Sequence, residues 1–380
     1  MTVKLYYDDA YISEFSAEVL SVDERDGGYA VVLDRTAFFP EAGGQTSDKG
    51  FIGNAEVYDV RECGDTVIHF TKSAVPLGRT ECRLDFEERI EKMRIHTAEH
   101  IISGLFHKLY GVENTGFHLG HEDVTFDTSL PISREQLRFV ERLANEAVMR
   151  DLPVTTAFPK PEELPGLEYR SKLDLTENVR IVYIGDVDAC ACCAPHVSHT
   201  GEIGIIKFVD SVSHKGGSRI RMLAGLRAYD YVAKLSGECS KISASLCAPP
   251  TEIADELLRV LESRAALEYK LKGLSSRCAE LIAESIERTN GNLVVRLDGL
   301  DADALRAFVN SASGKVGGTL VALTGDEGAY RYILYDASPD MAANVKKANA
   351  ALSGKGGGRP PMAQGSFSAT LGEIESYFKN

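Results

Sequence analysis

The chain has 380 residues, 44% of them hydrophobic and 26% charged, a composition that suits a folded, soluble protein of roughly two or three domains. There is no apolar run of about 18 residues to span a bilayer, and Met1-Thr2-Val3-Lys4-Leu5-Tyr6-Tyr7 lacks the basic start and apolar core of a secretory signal, so a cytoplasmic protein without membrane partners is expected. A net charge of −14 argues against whole-surface binding to nucleic acid while leaving room for a local basic patch.

Residues 1–84 read as a β-barrel domain: short β-branched or alternating runs, Tyr29–Leu33, Ala55–Val60 and Thr66–Thr71, are separated by glycine turns such as Asp26-Gly27-Gly28. Within it, Arg35-Thr36-Ala37-Phe38-Phe39-Pro40-Glu41-Ala42-Gly43-Gly44-Gln45 is a loop whose glycines let backbone approach a ligand. Gln45 adds both a donor and an acceptor. A plain glycine turn is the simpler alternative.

From about Asp85 the period becomes helical. Phe86, Ile90, Met93, Ala98, Ile101, Ile102, Leu105 and Leu109 form an apolar stripe that stops at Gly111. His96 and His100 sit mid-helix, four apart and on one face, where they can grip one metal ion. A second helix is predicted over Ser133–Arg150 with a serine N-cap, followed by strands at Tyr183-Ile184, Ile203–Val209 and Arg219–Met222.

Eight cysteines suit a disulfide scaffold only in a short secreted chain; here Cys190, Cys192 and Cys193 crowd beside His196, which favours a metal. Cys192-x-x-x-His196 supplies the second half of a zinc site begun by the histidine pair. Cys190, Cys193 and His199 are competing ligands, whereas His69, His107, His118, His121 and His214 fit surface or packing roles. Residues 85–230 thus read as an α+β zinc-binding domain. Its segment 204–227 carries Lys207, Lys215, Arg219, Arg221 and Arg227 against Asp210 alone, which suits phosphate contact or a solvated strand edge.

Over 231–290 a helical segment is expected, because Ile253, Leu257, Val260, Arg264, Leu267, Leu271, Leu274, Cys278 and Leu281 step by four and three, as a coiled-coil seam does. Residues 291–380 alternate strand and helix as a small α/β domain. Its end, Lys355-Gly356-Gly357-Gly358-Arg359, reads as a loop, either a flexible linker or a nest of N–H groups for a phosphate.

His96-x-x-Glu99-His100 also matches inverted zincins, in which the glutamate is the base of a metallopeptidase; that reading needs a distant carboxylate ligand and leaves Cys192 and His196 unused. With all these residues together, the chain resembles the stand-alone alanyl-tRNA editing proteins (AlaX type), relatives of the editing and C-terminal domains of alanyl-tRNA synthetase. The markers are Thr36 with Phe38-Phe39-Pro40 and Gly43-Gly44-Gln45, His96-x-x-x-His100, Cys192-x-x-x-His196 with Thr200-Gly201-Glu202-Ile203-Gly204, and Gly356-Gly357-Gly358-Arg359-Pro360-x-Met362-Ala363-Gln364-Gly365. The resemblance implies a zinc-dependent hydrolase that removes serine, and also glycine, from tRNA(Ala), with zinc on His96, His100, Cys192 and His196.

The same resemblance implies Thr36 as reader of the serine hydroxyl and Gln45 in the catalytic site; the basic segment and the glycine run then make Lys215, Arg219, Arg221, Lys355, Gly356, Gly357, Gly358 and Arg359 the expected tRNA contacts. The seam's own spacing suits pairing either with a neighbouring helix of the same chain or with its twin in a homodimer. One departure is Cys193-Ala194-Pro195 where the synthetase form has Gly-Gly-Thr. A non-catalytic tRNA-binding protein with a structural, four-ligand zinc is the alternative of another class.

Overall fold

A computed structural model describes every residue except 26, 121–123, 172–176 and 380. Asp26 of the expected turn and His121 therefore lie outside the described residues. The fold is mixed α+β, and the chain divides into two compact units, Met1–Glu238 and Cys239–Asn380.

In the first unit, Glu14–Arg25, Gly28–Leu33, Thr66–Thr71, Ala55–Cys63, Gly50–Ile52 and Gly78–Leu84 pair in that order and close into an antiparallel barrel. Alternation decides which side chains fill it: along Thr66–Thr71, Val67, His69 and Thr71 are buried while their neighbours are partly exposed, as a period of two requires. Val19, Val31, Leu33, Ile52, Val57 and Val60 supply the apolar interior.

Helix α1, Phe86–Tyr110, begins where the Asp85 carboxylate accepts from the Glu88 N–H and ends at Gly111 with φ 63°, the left-handed C-terminal position that glycine fills at least cost. Ser133 and Gln136 form a reciprocal capping box for α2, Arg134–Met149. The apolar stripe of α1 packs, through Ile95, Ala98, Ile102 and Phe106, with residues of a four-stranded sheet ordered Ile206–His214, Gly217–Ala224, Val124–Thr128, Asn114–Leu119.

A separate three-stranded sheet joins Val154–Ala157, Ile181–Ile184 and Asp188–Ala191. The strand expected from Ile203 begins instead at Ile206, because Thr200–Ile203 is a 3-10 turn closed by Gly204 at φ 82°. Helix α3, Gly225–Leu246, carries the chain across the division between the units.

The second unit begins with the last turns of α3, from Cys239, and continues with α4, Ile253–Ser285. A five-stranded sheet follows, ordered Leu293–Arg296, Leu320–Thr324, Tyr330–Tyr335, Met362–Phe367, Lys355–Arg359, together with helices α5, Ala302–Ala312, α6, Met341–Ala351, and α7, Leu371–Lys379. The glycine run expected as a loop is therefore an edge strand, every residue of Lys355–Arg359 being exposed. Its glycines have a steric reason: a Cβ would come within 2.3 Å of the Gln364 carbonyl oxygen at Gly356 and 2.2 Å of that of Met362 at Gly358. Among the described residues no helix is long and apolar enough to cross a membrane.

Candidate metal centre

The Cys192–His196 turn is brought to α1 by hydrogen bonds that sequence spacing does not reveal. Arg180 donates through Nη1 to the Cys192 and Ala194 carbonyls at 3.0 and 2.8 Å. Beyond the turn, Glu202 accepts from the Ser198 and His199 N–H groups at 3.0 and 3.1 Å and from the Tyr11 hydroxyl. Thr200 donates to the Ala147 carbonyl and accepts from the Leu152 N–H, both at 2.8 Å, and a Cβ on Gly201 would lie 2.4 Å from Asp151 Oδ1. The Thr-Gly-Glu sequence is thus a buckle that fixes the turn against α2.

The result is a convergence of four donors. The ligand atoms of His96, His100, Cys192 and His196 all lie within 4.8 Å of one another. Cys192 Sγ is 3.7 Å from His96 Nε2 and 3.4 Å from His196 Nε2. Tetrahedral zinc with Zn–N about 2.0–2.1 Å and Zn–S about 2.3 Å requires ligand atoms roughly 3.3–3.6 Å apart, so the donor set fits that ion in number and softness, and the two Cys192 distances lie close to that spacing.

The far side of each imidazole supports the same conclusion. His96 Nδ1 lies 3.0 Å from Gln45 Oε1, and His196 Nδ1 lies 3.0 Å from Thr97 Oγ1. The Thr97 hydroxyl proton is already given to the Met93 carbonyl at 2.7 Å, so Thr97 accepts from His196. His100 Nδ1 stands 3.4 Å from Asp188 Oδ2, a looser contact. With Nδ1 turned outward in His96 and His196, their Nε2 atoms face Cys192, as metal-binding imidazoles with outer-shell acceptors do.

Charge follows geometry. Burial opposes a thiolate at Cys192, but the three surrounding histidines outweigh it and hold the thiol well below its usual value. Burial also opposes charge on His100, yet Cys192 and Asp188 pull it well above 6.5, whereas burial drives His196 down to about 3. Cys193 stays apart from the four-donor group: burial, and then the adjacent Cys192, push its thiol up to about 11, and it packs with Tyr6, Phe39 and Ala194. His100, Asp188 and Cys190 form a second cluster of possible ligands that shares His100 with the first. In it Asp188 is already held by the Arg170 fork, two bonds of 2.8 Å.

Gln45 reaches the site because the barrel loop is clamped to α1. Arg89, fully buried, donates to Asp48 and to the Ala10 and Ala37 carbonyls, while Asp48 also accepts from the Phe39 N–H at 2.6 Å. Gly43 and Gly44 at φ 62° and 82° carry the loop past the neighbouring strand, where a Cβ on Gly44 would stand 2.7 Å from the Phe117 carbonyl oxygen. Thr36 lies elsewhere in this loop region: its hydroxyl is buried, 2.8 Å from His69 Nε2, and accepts from the Phe38 N–H at 3.1 Å.

His199 is exposed and contacts Ser198. Glu99 is buried and accepts from Ser103 and Asn114, outside the four-donor group. Of the basic segment, Lys207, Arg219, Arg221 and Arg227 pair with Glu141, Asp127, Asp210 and Glu91, partners that come from other parts of the fold in all but one case. Lys215 sits in the hairpin turn at φ 45°. Arg180, Asp188 and Thr97 are site residues that motif reading missed. Gly104 was the available signal: a glycine inside a helix, where a Cβ would lie 2.7 Å from that of Asp188.

A cavity of about 910 Å³ opens on His96, His100 and Cys192, with Tyr7, Gly43, Phe117, Arg170 and Arg180 in its walls. Its size is that of a small-molecule site.

Residues 179–222 match the family model described as the threonyl and alanyl tRNA synthetase second additional domain, and residues 290–378 match the DHHA1 domain. Among curated proteins the chain is similar to the alanyl-tRNA editing protein AlaX-L of Pyrococcus horikoshii, with 28% identity covering 98% of this chain and 96% of that one. It is also similar to the alanine–tRNA ligases of Halorubrum lacusprofundi, at 33% identity, and Methanopyrus kandleri, at 31%, matching 96% and 95% of this chain. The chain spans 42% of the length of each of those two ligases.

Proposed function

From its likeness over almost the whole chain to an AlaX-type alanyl-tRNA editing protein, and to the ligases that share those domains, we propose that this protein is a trans-editing hydrolase. It deacylates Ser-tRNA(Ala), and Gly-tRNA(Ala) by virtue of glycine's small size, in the cytoplasm. The observation that carries this reading is the His96, His100, Cys192, His196 donor set, three of whose members, His96, His100 and Cys192, line a cavity of about 910 Å³. A zinc ion bound there would supply Lewis acidity and an anchor for water or for the substrate's amino group.

The chain's own residues do the rest. Gln45, Thr97 and Asp188 fix the tautomers and orientations of the three histidines, and the half-enclosed walls limit bulk water around an ester that is already activated. Gln45, fully buried with Nε2 unpartnered among the described residues, is proposed to serve the reaction by holding the His96 ring. Selectivity against alanine needs a group that pairs with the serine hydroxyl, because such a pocket left unpaired rejects the substrate lacking it. The resemblance gives Thr36 that role. Since its hydroxyl already serves His69 and Phe38, we assign it an indirect one, shaping the Phe38-Phe39-Pro40 loop.

Lys215, Arg219, Arg221 and the Lys355–Arg359 strand are the proposed tRNA contacts. The test is to incubate zinc-loaded protein with labelled Ser-, Gly- and Ala-tRNA(Ala) and follow the ester. Loss of serine with alanine spared is expected; equal rates would refute the selectivity. No hydrolysis of any of them would favour a non-catalytic tRNA-binding protein, the reading that a closed four-ligand zinc supports. The peptidase reading would make Glu99, whose Oε1 accepts from Ser103 and Asn114, the base, and would leave Cys192 and His196 unused.

A further inference from the structure

Arg180 is a buried cation in search of a counter-charge. It is 7% exposed and lines the cavity beside His96 and Cys192. The neighbouring cations of that wall are matched: Arg170 pairs with Asp188 and Lys4 with Glu62. Among the described residues Arg180 pairs with no carboxylate. Its hydrogen bonds run from Nη1 to two carbonyls, its Nε is buried without a partner, and its guanidinium carbon lies 5.4 Å from the centroid of the Tyr7 ring.

Removing a charge from water without pairing it is costly, and the cost persists only where something else compensates. The Cys192 thiolate is the nearest candidate. Yet a divalent ion on three neutral imidazoles and one thiolate leaves that cluster net positive, so with metal present the guanidinium and the centre both call for an anion.

We propose that Arg180 forms an anion subsite of this cavity, taking the phosphodiester that joins the last two nucleotides of the charged tRNA strand; this rests on the editing reading above. That phosphate is attached to the 5′ carbon of the ribose whose 2′ or 3′ oxygen carries the amino acid. One guanidinium thus clamps the carbonyl of a metal ligand and holds the substrate one ribose away from the reacting ester. Arginine suits both tasks because its planar fork offers five donors.

The experiment measures binding of the dinucleotide CpA, and of its uncharged methylphosphonate analogue, to the zinc-loaded full chain by competition calorimetry, without any turnover. The wild type should prefer the phosphodiester by on the order of tenfold, the worth of a charge-assisted bond. Arg180→Gln keeps donors for the two carbonyls and should bind both ligands alike while retaining its zinc. Equal affinity of the wild type for the two dinucleotides overturns the proposal whatever the variant does. Competition by free L-serine but not by CpA also overturns it, reassigning Arg180 to the carboxylate of the released amino acid. A protein that prefers CpA yet deacylates nothing would keep the subsite and defeat the editing reading alone.

Discussion

Asp188, Gln45 and Thr97 each accept, or stand ready to accept, the outward proton of one histidine, and a metal held by the four donors would be tuned by them. Asp188 also carries an ion pair: burial alone would raise its carboxyl, but His100 and Arg170 hold it below the usual range. Asp188→Asn, or Gln45→Leu, is expected to weaken zinc binding by about 10–100-fold. Competition with a chelating indicator reads this, and unchanged affinity in both variants would remove the orienting role.

His69 gives a second residue-scale prediction, away from the metal. Burial depresses it from 6.5 to about 4, so it is neutral in the barrel and uses Nε2 to accept from Thr36. Its folded value lies below its unfolded one, so the stability it contributes is complete above about pH 6.5 and is lost as the pH falls through about 4. Between pH 7 and 4.5 the wild type should lose about 2–3 kcal/mol from this group. His69→Gln, which does not titrate, should lose that much less, as denaturant midpoints at the two pH values will report.

Elements come together here through buried charge. Arg89 of α1 and Asp48 of the barrel loop are 0% and 1% exposed, and their pairing sets the position of Gln45 relative to His96. Removing one partner of such a pair strands the other, at a cost of about 3–5 kcal/mol. Asp48→Ala should therefore destabilise the first unit by that amount in thermal unfolding and also weaken metal binding by releasing the loop. Full metal affinity in a folded Asp48→Ala protein would show that the loop is held in some other way.

What sequence reading delivers at this scale is whatever is encoded locally. Asp85, Ser133 and Gly111 announce helix ends within one turn of the chain, and the four-residue spacing of His96 and His100 needs only a helix to acquire meaning. The pairing of Arg219 with Asp127, or of Arg89 with Asp48, joins residues far apart in the chain, and no window over 204–227 could show that Lys207, Arg219 and Arg227 are matched from outside it. The glycine strand misleads for a related reason. Gly356–Gly358 has no side chains with strand preference, and only the close approach of Met362–Phe367 makes glycine a requirement at Gly356 and Gly358.

At the scale of the whole molecule, α4 raises a demand that its own chain leaves open. Its C-terminal turns bury Ala279 and Ala283 in a cluster with Leu305 and Phe308 of α5, but the seam positions Leu257, Val260, Leu267, Leu271, Leu274 and Leu281 are between 45% and 68% exposed. A helix of 33 residues is about 50 Å long, and an apolar stripe of that length in water is costly enough to mark an interaction face. We propose that the stripe pairs with its twin in a homodimer, since a four-three spacing matches another helix bearing the same spacing. Arg264, the charged seam position, pairs with Glu268 at 2.8 Å in its own helix, so it can lie at the edge of the pair without being stranded. Light scattering should give twice the 41.4 kDa chain mass, and the Leu267→Asp, Leu271→Asp variant should run as a monomer with its metal retained. A wild type that stays monomeric at high concentration, and whose double variant is equally stable, would remove the pairing and leave α4 as a solvated spacer.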